Sequence, residues 1–201
     1  MTILLLVRHA QAAPLGDHRL PGPDLPLTPR GEEEARLLAN RLGDFDPTLI
    51  LSSDARRAVQ TAEIVAGENG VPIQVTPTLR ELDFGDWAGQ TYAEVVLADP
   101  ATADWFTRPD DAPPPNGEPV ADAARRVLAT LRDVAEDRTG AVVVIGHSGA
   151  LRLAVAAALG MPYGSWWRLR LACASISVVT WDADGLILER WNNTTHLDAE
   201  P

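Results

Sequence analysis

Two histidines in this chain each follow a short apolar run. Residues 3–7 are apolar and lead directly to Arg8 and His9, and the apolar run at 141–145 leads through one glycine to His147. Runs this short and apolar are typical of strands buried on both faces of a parallel sheet. Open α/β sheets place their ligands at the carboxyl ends of the strands, so we expect both histidines at one site. An arginine beside a histidine offers that site a fixed cation and a titratable nucleophile.

A third polar strand end follows the predicted strand at 47–51. Ser52 and Ser53 close that strand, and Arg56 and Arg57 come just after it. Parallel strands share one carboxyl edge, so these groups are expected beside the histidines, where helix N-termini also attract anions. Converging arginines and histidines repel one another unless an anion lies between them, and arginine forms charge-assisted hydrogen bonds with phosphate. The pattern therefore indicates a site for a phosphate dianion.

The composition excludes several classes of protein. The formal net charge is −11 and the sequence pI is about 4.7, which opposes nonspecific binding to nucleic acid or to an anionic membrane. Cys173 is the only cysteine, so an internal disulfide is impossible and a reducing compartment fits. The apolar run at 3–7 is too short for a secretory or membrane segment. We therefore expect a cytoplasmic protein that binds neither nucleic acid nor membranes.

Predicted strands and helices alternate along the chain. Thr28 caps a helix that has Pro29 at its first position, and Thr91 with Glu94 forms a capping box that opens a short helix. Further helices are predicted at 55–66, where Gly67 breaks the helix, at 120–135 and at 149–159, and further strands at 71–75, 175–181 and 186–191.

The alternation predicts an α/β fold, a three-layer αβα sandwich. Its sheet is expected to be mostly parallel, with about six strands and an antiparallel edge formed by a C-terminal hairpin turned at Asp184 and Gly185. We expect 1–201 to form one domain. The segment at about 78–135 contributes helices without strands, so we expect a small helical and loop lobe over the active site.

Four motifs occur in a fixed order along the chain. They are Arg8-His9-Ala10, Ser52-Ser53-Asp54-Ala55-Arg56-Arg57-Ala58, Leu79-Arg80-Glu81-Leu82-Asp83-Phe84-Gly85-Asp86-Trp87-Ala88-Gly89 and Gly146-His147-Ser148. In these motifs the chain resembles the histidine phosphatase superfamily, also called phosphoglycerate mutase-like, from about residue 3 to residue 197. The resemblance implies an enzyme that acts on a small phosphorylated metabolite.

The resemblance also implies the role of each motif residue. His9 is the nucleophile and forms a phosphohistidine, which splits one displacement into two easier ones. Arg8, Arg57 and His147 hold the phosphoryl oxygens, with Ser148 as a further phosphate-binding residue. Glu81 matches the family's proton donor and acts as general acid and base. We expect no metal and no cofactor.

Three departures from the family pattern bear on the reaction. Ala10 stands where the family usually has glycine, and we expect it to be tolerated unless the backbone there needs a positive φ. Residues 12–15 lack the asparagine of the mutase pattern, and the chain is shorter than a typical cofactor-dependent mutase. The last two features favour a phosphatase, and mutase-type phosphoryl transfer remains the alternative within the family.

Four residues are candidates for contact with the substrate. Gln11, Trp87, Tyr92 and Trp105 are the candidates for lining the substrate face of the lobe, although packing inside the lobe explains the aromatic ones equally well. A homodimer is expected to form, if it does, through an edge made by Trp166, Trp167 and the C-terminal strands.

Two other classes of function compete with a phosphatase. Gly146-His147-Ser148-Gly149 lies at a strand-to-helix turn like the nucleophile elbow of a serine hydrolase, with Ser148 as the nucleophile. That pattern requires glycine where this chain has Ala150, and it leaves the arginines without a role. A noncatalytic binder of phosphorylated ligands is the other alternative, but no residue of the catalytic set is missing.

Overall fold

A mixed six-stranded sheet forms the centre of the part that the computed structural model describes, which is residues 2–12, 20, 25–106, 108–109 and 113–198. Its strands are β1 (Thr2–Arg8), β2 (Pro47–Ser53), β3 (Ile73–Thr76), β4 (Gly140–Gly146), β5 (Ile176–Asp182) and β6 (Gly185–Asn193). Their order is β3-β2-β4-β1-β5-β6, in which the first three contacts are parallel and the last two antiparallel. This confirms the predicted fold class.

Two of the five helices in the described part of the chain begin directly after the capping residues that the sequence predicts, Thr28 and Thr91. The helices are α1 (Pro29–Gly43), α2 (Arg56–Asn69), α3 (Tyr92–Ala98), α4 (Val120–Asp137) and α5 (Ser148–Ala158). The Thr28 side chain accepts a hydrogen bond from Gly31 N (3.0 Å) at the start of α1. Within the described residues, no helix has the length and apolarity that a bilayer crossing requires.

The predicted break of α2 at Gly67 is wrong. The helix continues through Gly67 to Asn69 and ends at Gly70, which adopts a left-handed conformation with φ of 65°. A glycine inside a helix costs only about 1 kcal/mol relative to alanine, which the packing of the helix overcomes. Only a positive φ ends the helix, and Gly70 supplies it.

Helices cover both faces of the sheet. Val143 and Val144 are neighbours on β4, and both are fully buried because successive side chains point to opposite faces. Val143 packs in one cluster with Leu38 of α1, whereas Val144 packs in another with Leu131 of α4 and Leu151 of α5. The continuous apolar runs of the sequence thus correspond to strands buried on both faces.

A third cluster forms the core of the lobe. It contains Trp87, Val95 and Trp105 together with Val120, at the first turn of α4. Farther along α4, Leu131 packs against the sheet instead. The helix therefore contributes to both clusters, and the extent of the lobe at about 78–135 stays a prediction.

Candidate active site

Three strand ends meet at one edge of the sheet, as their polar residues predict. Arg8 is the register partner of Gly146, and the backbone N–H of His9 donates to the Gly146 carbonyl (3.0 Å). His9 and His147 therefore leave neighbouring strands side by side, with ring centroids 5.1 Å apart. On the other side of β4, β2 brings Ser53 to the same edge, where its Oγ lies 2.9 Å from His147 Nε2.

Arg57 joins the two histidine rings. Its Nε donates to His9 Nε2 (3.1 Å), and its Nη2 donates to His147 Nδ1 (3.0 Å). Arg57 is buried at the first turn of α2, whereas the adjacent Arg56 is exposed. Of the two arginines, Arg57 is therefore the one that faces the histidines, as the resemblance implies.

These hydrogen bonds assign a tautomer to each ring. A guanidinium only donates, so His9 Nε2 and His147 Nδ1 must each present a lone pair to Arg57. A carbonyl only accepts, so His9 Nδ1, which lies 2.8 Å from the Ala10 carbonyl oxygen, carries the proton. By the same reasoning His147 carries its proton on Nε2 and donates it to Ser53 Oγ. The lone pair of His9 therefore points from Nε2 toward the arginine.

The surroundings keep both histidines neutral. Burial lowers the pKa of His9 well below its usual value, and the nearby His147, Arg8 and Arg57 lower it further, against the opposing hydrogen bond to Ala10. Burial likewise lowers the pKa of His147 well below its usual value, with Arg57 and Arg8 as the next causes. A neutral imidazole has the free lone pair that a nucleophile needs.

Arg8 contributes a donor that the protein leaves unsatisfied. Its Nη1 donates to the Leu171 carbonyl (2.7 Å), which fixes the guanidinium beside the strand ends. Its Nε is buried and has no hydrogen-bond partner among the described residues. A buried donor without a partner is uncommon in a folded protein, and an anion between the arginines would satisfy it.

Ala10 fits the backbone at the position where the family usually has glycine. It is fully buried, its φ is not positive, and its N–H donates to Thr61 Oγ1 (3.1 Å). The condition that would have made alanine unfavourable there is therefore absent.

Glu81 lies at the N-terminus of α5. Gly149 N donates to Oε2 (3.0 Å) and Ala150 N donates to Oε1 (2.8 Å), while Leu82 N also donates to Oε1 (2.9 Å). His147 is the N-cap of the same helix, so the backbone N–H groups that bind the carboxylate follow closely after one of the two site histidines. Carboxylates are favoured at such helix ends, where backbone N–H groups lack intrahelical partners.

His147 is not placed to act as a base for Ser148. The partly buried side chain of Ser148 lies at the first position of α5, but both ring nitrogens of His147 are engaged by Arg57 and Ser53. A serine nucleophile requires a base within hydrogen-bond reach. The geometry thus disfavours the serine hydrolase, and a phosphate-binding role for Ser148 stays a prediction.

The four candidates for the substrate face occupy different surroundings. Trp87 and Trp105 are buried in the lobe core with their rings nearly perpendicular and 5.4 Å apart, so packing is their main role here. Tyr92 is 43% exposed, and its contact with a substrate stays a prediction. The side chain of Gln11 accepts a hydrogen bond from Thr28 Oγ1 (2.8 Å), which ties it to the start of α1.

Sequence reasoning left two polar residues of the site without a role. Ser53 orients His147, and its position directly after a strand was the available signal. Arg152 donates from Nε to the Ser148 carbonyl (2.9 Å), and its guanidinium carbon lies 4.4 Å from the ring centre of Trp166. Burial lowers the pKa of Arg152 to about 10, while the charge of Glu81 opposes that shift.

Trp166 is buried under Arg152, which leaves Trp167, 48% exposed, as the member of that pair that is open to a partner. The homodimer stays a prediction. Within the described residues, no three His, Cys, Asp or Glu side chains come together as they would around a metal ion.

The fold and the site define a class of α/β phosphoryl-transfer protein with two histidines and two arginines at the strand ends. The family model described as the histidine phosphatase superfamily (branch 1) matches residues 4–194. The chain belongs to this superfamily, as its motifs indicate.

Similar proteins include both phosphatases and mutases. A glucosyl-3-phosphoglycerate phosphatase from Mycolicibacterium vanbaalenii is 36% identical over 175 residues, which are 81% of this chain and 76% of that protein. A probable phosphoglycerate mutase GpmB from an Enterobacter species is 33% identical over 207 residues, covering 99% of this chain and 96% of the relative. Among solved structures, YhfR of Bacillus stearothermophilus superposes with a TM-score of 0.89 at 29% identity, covering 98% of this chain and 100% of that one.

Proposed function

We propose that this protein hydrolyses phosphomonoesters of a small metabolite through a phosphohistidine on His9. The observation that carries the proposal is the neutral His9 ring, whose Nε2 lone pair lies 3.1 Å from Arg57 Nε. A substrate phosphoryl group that enters between the ring and the arginines would take over the Arg57 donors and expose its phosphorus to Nε2. The phosphatase name of one relative supports the same reaction class.

The first step transfers the phosphoryl group to the enzyme. His9 Nε2 attacks phosphorus, a P–N bond forms, and the ester P–O bond breaks. The positive charge that develops on the ring is stabilised by the Nδ1–H bond to the Ala10 carbonyl. Arg8 and Arg57 stabilise the charge on the equatorial oxygens. His147, neutral in the empty site, takes a proton from solvent on Nδ1 when the phosphate dianion binds and donates it to one of these oxygens. Glu81, in its protonated form, gives its proton to the leaving oxygen.

The second step regenerates the enzyme. Water attacks phosphorus in line with the P–N bond, and the carboxylate of Glu81 accepts the water proton. The P–N bond breaks, inorganic phosphate leaves, and the electron pair returns to His9 Nε2. The arginines supply the positive charge throughout, so we propose that the reaction needs no metal. Activity that persists after dialysis against EDTA is the expected result.

A direct test measures hydrolysis of p-nitrophenyl phosphate by the wild-type protein and the His9→Ala variant. Phosphate release should be lost in the variant, and acid-labile, base-stable phosphate should appear on the wild-type protein in a rapid quench. His196→Gln is a control, because it removes a histidine that lies outside the site, bonded through Nε2 to the Ala174 carbonyl. Full activity of the His9→Ala variant would overturn the proposal.

Mutase activity is the second candidate, because the similarity to a probable phosphoglycerate mutase extends over 99% of this chain. A mutase returns the phosphoryl group to a hydroxyl of the substrate, whereas a phosphatase delivers it to water. Incubation with 3-phosphoglycerate separates the two by whether 2-phosphoglycerate or inorganic phosphate accumulates. A panel that adds a glycosylated phosphoglycerate and other metabolite phosphates would define the substrate.

A further inference from the structure

Gly149 lies where α5 meets Glu81. It is buried at the second position of the helix, and its φ is not positive. Alanine would therefore suit the backbone at this position, and glycine is a poor helix former. Neither turn geometry nor helix propensity explains a glycine here.

The space around Gly149 explains it. A Cβ added to this residue would lie 2.6 Å from Glu81 Oε1, 3.2 Å from Cδ and 3.5 Å from Oε2. Apart from the backbone of the helix and the adjoining residues, no heavy atom lies closer to that Cβ position than these three. The Glu81 carboxylate therefore occupies the space that a side chain at position 149 would fill. The 2.6 Å distance is shorter than packed atoms allow, so a side chain at position 149 would force the Glu81 carboxylate to move.

We propose that Gly149 is a positioning residue for Glu81. The missing side chain lets the carboxylate bind the N–H groups of Gly149 and Ala150, at the helix that begins next to His147. The inference rests on the proposed function, in which Glu81 carries the proton to and from the reacting oxygens. Gly149 itself does not touch the substrate.

A methyl group at position 149 should impair proton transfer by Glu81 and leave the other parts of the reaction unchanged. The 2.6 Å contact must lengthen to about 3.4 Å for ordinary packing, which displaces the carboxylate by roughly 0.8 Å, and misplacement on that scale can cost on the order of 10²-fold in rate. The loss concerns proton transfer only, so it should depend on the leaving group. An alkoxide requires the proton, whereas p-nitrophenolate leaves readily without it.

The test compares Gly149→Ala with wild type on glycerol 2-phosphate and on p-nitrophenyl phosphate. We expect kcat for glycerol 2-phosphate to fall on the order of 10²-fold, and kcat for p-nitrophenyl phosphate to fall much less. Gly67→Ala is the matched control, because Gly67 also lies in a helix but an added Cβ there meets nothing within 4 Å.

A double variant separates positioning from a general effect on folding. In a Glu81→Ala background the space beside Gly149 is empty, so adding Gly149→Ala should cost no further activity and should not lower the melting temperature. Full activity of Gly149→Ala on both substrates would overturn the inference. Equal losses on both substrates, or a further loss in the Glu81→Ala background, would also overturn it.

Failure of the underlying reaction scheme has a different signature. If Glu81→Ala alone left hydrolysis of glycerol 2-phosphate unchanged, Glu81 would not be the proton donor, and the proposed function would need revision before any role for Gly149. If Glu81→Ala lost activity and Gly149→Ala did not, only the positioning role would be wrong.

Discussion

Acidification should destabilise the empty protein through its buried histidines. Burial and the nearby arginines lower the pKa of His9 and His147 well below 6.5 in the folded state. Near pH 8 both rings are neutral in the folded and unfolded chains, so these groups give almost no pH dependence there. As the pH falls below 6.5, the unfolded chain binds a proton at each histidine and the folded chain does not, so the free energy of unfolding decreases.

The size of this effect follows from proton linkage. A histidine that stays neutral in the folded state and has the ordinary pKa when unfolded lowers the free energy of unfolding by about 2 kcal/mol between pH 8 and pH 5. Two such histidines together give about 4 kcal/mol, a large part of the 5–15 kcal/mol typical of a folded domain. The stabilising pair of Asp54 with Arg80, which lowers the Asp54 pKa, is lost only in a more acidic range.

Urea denaturation at pH 8, 7, 6 and 5, followed by tryptophan fluorescence in a buffer without phosphate, measures this dependence. The His9→Gln variant should lose about half of it, because one of the two groups no longer titrates. Burial also lowers the pKa of the partly buried His196, so this residue adds to the dependence in the same direction, and the His196→Gln variant measures its share. His18, the fourth histidine, lies outside the described residues. A wild-type change below about 1 kcal/mol, or a full dependence in the His9→Gln variant, would refute the reasoning.

Three further predictions concern single residues. Arg57→Lys keeps the charge but loses the two-way contact with His9 and His147, so kcat/KM for p-nitrophenyl phosphate should fall about 10²- to 10³-fold; wild-type kinetics would contradict this. Ala10→Gly should lower the unfolding free energy by about 0.5–1 kcal/mol without raising activity; a clear gain in kcat would show that the family's glycine matters here. Gly67→Ala should raise the unfolding free energy by about 1 kcal/mol in urea titrations, and a lower melting temperature would argue against the prediction.

The sheet and its central residues were predictable because their signals are local. Buried parallel strands have short apolar runs, and the residue after each run must lie at the shared edge, so His9 and His147 follow from the pattern alone. The choice between Arg56 and Arg57 depends on where α2 begins, because one residue of helix turns a side chain by about 100°. The division of α4 between two hydrophobic clusters was less predictable, since it is one continuous amphipathic helix that packs on the lobe at Val120 and on the sheet at Leu131.

The position of Glu81 could not be predicted from local signals. The residues around it have no strand or helix period, and a glycine near a helix start has many ordinary explanations. Only the tertiary contact shows that Gly149 and Glu81 share one space. The same contact places the motif around Glu81 next to the motif around His147, although Glu81 and His147 are 66 positions apart in the sequence.

The pairing of arginines with carboxylates differs between the surface and the site. The chain has 28 acidic and 17 basic residues, and many arginines pair with carboxylates on the surface, as Arg36 does with Glu32 and Glu33. Arg8 and Arg152 form no such ion pair among the described residues, although carboxylates are in excess. Glu81 offsets the charge of Arg152 in part, whereas Arg8 lies beside two neutral histidines, an arrangement that costs stability until an anion binds. Stability is given up at this edge of the sheet to keep the site cationic, which is the condition that phosphate binding requires.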